Sequence, residues 1–86
     1  MTNQEKIENM PFERALVCLK RGVRVSRAGW NAHHELGLQF PDAGSANSLP
    51  YIYMVVGTDA ADLKGARVPW VASHTDLMAG DWFIAE

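Results

Sequence analysis

The sequence predicts a small α+β domain: an N-terminal helix packed on an antiparallel sheet of about four strands, a short second helix, and homo-oligomeric assembly. Three observations predict it. At 86 residues the chain is one domain's length, and so short a chain buries only a modest share of its surface. Its strongest helical period comes first and is followed by short segments of period two, in the order α-β-β-β-α-β, which suits a helix laid on an antiparallel sheet. The segment YIYMVVG (51–57) is apolar on both faces, so in a domain this small one of those faces is expected to meet another subunit.

Taken in order, residues 1–9 read as a flexible leader and residues 10–86 as a single domain. MPFERALVCLKRG (10–22) reads as a helix, with Pro11 near the first turn and Asn9 or Met10 as its cap. Phe12, Ala15, Leu16 and Leu19 repeat at i, i+3, i+4 and i+7, one apolar stripe. Lys20 and Arg21 suit the negative end of the helix dipole, and Gly22 supplies a left-handed stop.

VRVSR (23–27) alternates as a strand, with Val23 and Val25 on one side and Arg24 and Ser26 on the other. The same alternation puts Arg27 on the valine side, at the end of an apolar face and just before Gly29. ELGLQF (35–40) alternates with Leu36, Leu38 and Phe40 on one side, and PDAGSANSLP (41–50) is a turn-rich loop. TDAADLKGAR (58–67) reads as a polar connection. Ser73 followed by Asp76 resembles a capping box that starts a short helix. Gly80 ends that helix, and DWFIAE (81–86) is the last strand.

Composition limits the function. The single cysteine, Cys18, rules out an internal disulfide and points to a reducing compartment, so a cytoplasmic location is expected. No apolar run reaches membrane-spanning length, and MTNQEKIEN is no signal peptide. The net charge of −2 argues against a long nucleic acid as partner. Yet Lys20, Arg21, Arg24 and Arg27 supply half of the eight Lys and Arg from eight consecutive positions. Such a local cluster suits a small anionic ligand, or equally a solvated strand edge that carries gatekeeper charges.

Metal and catalysis find little footing. His33 and His34 are adjacent and would point to opposite sides of a strand, and there is no second cysteine and no HExxH. No metal ligand and no cofactor is assigned. Ser73, His74 and Asp76 have the residue types of a catalytic triad, but their spacing fits a helix cap better. Glycine-rich phosphate loops are missing. The residues that remain suit a nucleotide-sized ligand. Trp30 follows Gly29 and Trp70 follows Pro69, and indoles stack on bases for about 1–3 kcal/mol each. Arginines pair with phosphate, and Asn31, Thr75 and Asp76 could read ribose hydroxyls or base edges. Core packing is the competing role for each tryptophan, and Trp82, before Phe83 and Ile84, reads as the core one.

The blocks FERALVCLKRG, VRVSRAGWN, PYIYM and PWVASHTDLMAGDW, spanning Phe12 to Trp82, together resemble the second Thoeris anti-defence family. These are small phage and prophage proteins that act as sponges for immune signals in the host bacterial cytoplasm. The resemblance implies a protein that is not an enzyme. It would bind a cyclic ADP-ribose-type signal such as glycocyclic ADP-ribose, hold it intact, and keep the Thoeris effector silent. It also implies a homo-oligomer, typically a tetramer, with pockets at subunit interfaces. Some members bind cyclic dinucleotides at a separate site.

Carried onto this sequence, the resemblance assigns Trp30, Asn31, Trp70, Ser73, Thr75 and Asp76 to the ligand pocket, Arg27 to a pyrophosphate, and adds Tyr51 and Tyr53. The chain departs from the family pattern at Ala32-His33, where Gly-Lys is common, at His74 in place of glutamine, and at Ala72 in place of a frequent proline. The lost lysine leaves the choice of cyclic nucleotide open. Two other readings stand beside the sponge. One is an interaction module whose tryptophans are interface core. The other is a nucleotide-cleaving enzyme with His74 or Asp76 as acid or base.

Overall fold

The computed structural model describes residues 8–30, 33–44, 48–57 and 65–85. Helix α1 (Phe12–Lys20) is followed by β1 (Val25–Arg27), β2 (Glu35–Gln39), β3 (Tyr51–Val55) and β4 (Arg67–Pro69), then α2 (His74–Met78) and β5 (Trp82–Ile84). All strand pairs are antiparallel, in the order β4-β3-β2-β1-β5. The sheet therefore has five strands instead of about four.

The extra strand is β4, which falls where the sequence reads as a polar connection into Pro69. It is the outermost strand, and an edge position is where a sheet tolerates proline. Tyr53 pairs with Pro69 and Val55 with Arg67.

The cap of α1 also differs from expectation. Pro11, not Asn9 or Met10, occupies the cap with extended backbone, and Asn9 takes a left-handed turn at φ 58°. Proline has no N–H to leave unsatisfied, so it opens the helix cheaply, and its carbonyl accepts from the N–H of Arg14 and Ala15. At the other end Gly22 sits at φ 86°. Its N–H bonds the Leu19 carbonyl while the N–H of Val23 bonds that of Cys18, the paired closure of a Schellman motif.

The core lies between α1 and one face of the sheet. Ala15 and Leu19 from the helix meet Val25, Leu36 and Trp82, all fully buried, with Met10 beside them. Met10 and Trp82 exchange both backbone hydrogen bonds, at 2.9 and 3.1 Å. That bridge joins the segment before α1 to the outer side of β5 while Arg27 of β1 pairs with Trp82 on its inner side. Helix α1 packs over β5, β1 and β2. Beyond it the β3–β4 part of the same face stays partly open, with Ile52 and Met54 half-buried and Val68 exposed.

Candidate functional site

Arg27 ends β1 on the side of Val25, opposite Trp82. Its guanidinium donates from Nε to Asp81 Oδ1 at 2.8 Å, from Nη2 to Asp81 Oδ2 at 3.3 Å, and from Nη1 to Asp76 Oδ1 at 2.9 Å. The first two bonds form the fork that a planar guanidinium makes with a carboxylate. Asp81 Oδ2 also accepts the N–H of Gly29 at 2.8 Å. A Cβ on residue 29 would stand 2.9 Å from that oxygen and 3.1 Å from Arg27 Nη2, so only glycine lets the turn close on the fork without displacing it.

Asp76 is the junction of the site. Its Oδ1 accepts a second bond, from Trp30 Nε1 at 3.1 Å, and its Oδ2 accepts the Ser73 N–H at 3.3 Å. Its own N–H donates to Ser73 Oγ at 3.0 Å, which completes the capping box of α2. Its carbonyl accepts from Trp82 Nε1 at 3.1 Å. One residue thus holds two tryptophans, an arginine and a helix start.

Electrostatics follow the bonds. Burial opposes ionisation of Asp76, but hydrogen bonds from Trp30, Arg27 and Ser73 outweigh it and hold the carboxyl below the usual range. The Arg27 fork lowers Asp81 in the same direction against a smaller burial effect, helped by the Gly29 N–H. Arg27 is raised in turn, chiefly by Asp81.

The aromatic rings form one cluster centred on Trp82. Phe12 lies 5.2 Å from it, Trp30 5.4 Å away edge-on at 79°, and Trp70 6.1 Å away edge-on at 89°. Phe12 also meets Trp70 at 5.8 Å. Such edge-to-face contacts add about 0.5–1.5 kcal/mol each beyond the area they bury.

On the Trp70 side the cluster opens into a groove of about 700 Å³, between α1, α2 and the β2–β3 part of the sheet. Phe12, Leu16, Leu38, Ile52 and Trp70 line it, with Lys20, Phe40, Tyr51 and Leu77 also on its walls. The volume and the apolar walls with a few polar groups are those of a small-molecule site. Lys20 brings a cation to it, the one member of the Lys20–Arg27 basic cluster that lines the groove.

The residues singled out in the sequence therefore divide. Trp70 and Tyr51 line the groove. Arg27, Trp30, Ser73 and Asp76 are bonded to one another across the far side of Trp82, and Asp81 joins them. The guanidinium of Arg27, assigned by resemblance to a pyrophosphate, is matched here by two carboxylates. Thr75 is exposed on α2. Tyr53 pairs with Gly37, where a Cβ would lie 2.6 Å from the tyrosine ring, and Arg67 sits 5.2 Å above that ring. Asn31 lies outside the described residues.

His34 carries a role that its sequence neighbourhood did not signal. Its Nδ1 accepts the Gly57 N–H at 2.9 Å, its carbonyl accepts from Ser26 Oγ at 2.5 Å, and its ring lies edge-on to Trp30 at 6.1 Å. It ties the entry of β2 to the exit of β3. Among the described residues no three of His, Cys, Asp and Glu converge as a metal site, and no helix is long and apolar enough to cross a membrane.

A family model described as a Tad2-like, Thoeris anti-defense 2-like domain matches residues 10–85. The chain is also similar to a curated protein of Bacillus phage SP01 named Thoeris anti-defense 2. The two are 35% identical over 85 residues, a stretch covering 87% of this chain and 93% of that protein.

Proposed function

This chain belongs to the Thoeris anti-defense 2-like family, and from that premise we propose that it is a sponge: it binds a cyclic ADP-ribose-type signal, glycocyclic ADP-ribose, and withholds it intact from the Thoeris effector. The observation that carries the proposal is the aromatic groove beside the bonded frame. A cavity of about 700 Å³ floored by Trp70, walled by apolar side chains and bearing Lys20 suits a purine face and a phosphate on one molecule. Trp70 and Tyr51 contact the ligand and Lys20 offers the cation, while Trp30 packs against Trp82 in the bonded frame behind the groove. Arg27 serves behind Trp30 as the charge that binds Asp76 and Asp81 together.

Holding without cleaving is in keeping with the same atoms. Ser73 Oγ accepts the Asp76 N–H, and the Asp76 carboxylate takes bonds from Arg27, Trp30 and Ser73. The serine and aspartate of the triad-like stretch act on each other as a helix cap, and a base needs a free lone pair beside a nucleophile. The exposed apolar side chains around the groove, Phe40 and Leu77 among them, favour self-association, and the family reading adds a tetramer in the host cytoplasm whose second copy closes the pocket. The same exposed apolar surface is also what favours the second reading, a module in which Trp70 serves assembly alone.

Titration calorimetry with glycocyclic ADP-ribose, followed by denaturation and chromatography of the released ligand, tests the proposal. Nanomolar binding, about −12 kcal/mol, with unchanged ligand is expected. An altered ligand makes the protein a nucleotide-cleaving enzyme. No heat removes this ligand, and the same titration with a cyclic dinucleotide then decides whether that class is the one held.

A further inference from the structure

We infer that the groove is directional and blind to the base: it takes a nucleotide lengthwise, ring at the Phe12–Trp70 end and anion at the Lys20 end, without reading which base the ring is. The inference deepens the sponge reading of the same groove. It rests on that reading for the class of ligand, and on geometry for the rest.

Phe12, Leu16 and Lys20 recur every four residues along α1 and form one wall of the groove. At about 1.5 Å per residue, Lys20 stands about 12 Å beyond Phe12 along the helix axis. Trp70 meets Phe12 at 5.8 Å between ring centres, so the two large rings share one end and the cation marks the other. A helical side chain leaves its Cα toward the helix N-terminus, so the gap from rings to ammonium is shorter than the axial span. It is a gap that a nucleoside phosphate bridges. Lys20 is exposed, and among the described residues no carboxylate pairs with it.

The chemistry of the walls explains the indifference to the base. Among the described residues no Asp, Glu, Asn, Gln, Ser or Thr lines the groove, and Lys20, Tyr51 and Trp70 alone bring a hydrogen-bonding side chain. Telling adenine from guanine takes donors and acceptors held at the base edge, the work of an amide, a carboxylate or a guanidinium. Tyr51 is 39% exposed at the mouth, and its hydroxyl donates or accepts, so it suits either base. Leu38, Ile52, Phe12 and Trp70 offer surface to any flat ring, because every base has a π face. Selection falls on the anion and on its spacing from the ring.

The test uses the whole chain, nitrogen–proton NMR, and three probes at millimolar concentration: AMP, GMP and adenosine. Groove resonances, the Trp70 indole N–H among them, should move with all three. AMP and GMP should bind within about threefold of each other, and adenosine about fivefold more weakly. Lys20→Ala should erase the advantage of AMP over adenosine and leave the AMP-to-GMP ratio as it was. Trp70→Ala should weaken all three about tenfold. An AMP-to-GMP ratio beyond about tenfold, the mark of base readout, overturns the inference. So does a preference for the phosphate that survives Lys20→Ala, or a groove that no probe perturbs. The wild-type and Lys20→Ala titrations decide even where Trp70→Ala does not fold. A parallel titration with glycocyclic ADP-ribose judges the sponge reading separately. If that ligand binds while AMP moves no groove resonance, the sponge stands and the inference falls. If AMP and GMP behave as expected and glycocyclic ADP-ribose does not bind, the sponge falls and the inference stands.

Discussion

Arg27 and Asp81, 54 positions apart in the chain, meet as a two-point fork at 2.8 and 3.3 Å, and Gly29 closes onto the same carboxylate. The relationship makes the end of β1 and the start of β5 a single electrostatic unit, with Asp76 as its third member.

Replacing Arg27 by lysine keeps the charge and loses the fork. One ammonium cannot make three bonds in the plane that Nε, Nη1 and Nη2 share. The side chains are partly solvated, so Arg27→Lys should cost about 1–2 kcal/mol, read as a lower urea midpoint with unchanged slope. Arg27→Ala should cost more, because two neighbouring carboxylates then repel with no cation between them. A wild-type midpoint in Arg27→Lys would show the fork to be idle.

Acid should act on the same unit. The folded protein holds Asp76 and Asp81 below their ordinary values, so each binds its proton more weakly folded than unfolded. Their contribution is fully present above the unfolded value, about 3.9 for aspartate, and is lost as pH falls through the lower folded-state values. Arg27 stays charged throughout. Thermal melts should therefore lose stability below about pH 4, and Asp81→Asn should flatten that loss.

Trp82 is fully buried at the centre of the ring cluster. Truncating a buried tryptophan to alanine costs about 3–5 kcal/mol, against a total of roughly 5–15 kcal/mol for a domain. Trp82→Ala should be largely unfolded by circular dichroism at 37 °C, whereas Trp70→Ala should stay folded and lose ligand. If Trp70→Ala instead breaks assembly and leaves ligand affinity intact, the groove is an interface and not a pocket.

Two glycines separate soft from hard crowding. A Cβ at Gly37 would meet only the far end of the Tyr53 side chain, at 2.6 Å, and that ring can shift. A Cβ at Gly57 would overlap the carbonyl oxygen of His33 and lie 2.5 Å from its carbon, which is backbone and cannot give way. Gly57→Ala should cost about 1–3 kcal/mol and Gly37→Ala distinctly less. Equal melting points for the two variants would contradict the distinction.

Lys20 offers the groove a cation, and Lys20→Ala should weaken glycocyclic ADP-ribose binding while flattening its salt dependence, since an ion pair at an open groove is screened. Fold stability should be near wild type because the side chain is exposed.

Much of this architecture was legible from periodicity and turn chemistry. The apolar stripe Phe12, Ala15, Leu16 and Leu19, the left-handed Gly22, the Ser73–Asp76 cap and the core role of Trp82 are all local signals, set by residues within a turn or two of one another. Strand β4 was not legible, because Pro69 and Arg67 argue against a strand unless its edge position is known. The partner of Arg27 was hidden for a different reason. An arginine at the end of an apolar face looks the same whether a phosphate or a carboxylate awaits it, and only the folding together of positions 27, 76 and 81 decides. Lys20 in the groove and His34 on Gly57 depend equally on long-range placement.

The double pairing of Trp82, with Met10 on one side and Arg27 on the other, has a consequence for the order of assembly. The side chain at the centre of the core, Trp82, comes from β5 at one end of the strand order, so no earlier described stretch closes the core or neutralises Arg27 by itself. As the chain leaves the ribosome, helix α1 and strands β1 to β3 must wait, sticky and incomplete, until residues 76 to 84 arrive. Folding of such a non-local pattern is slow for its size.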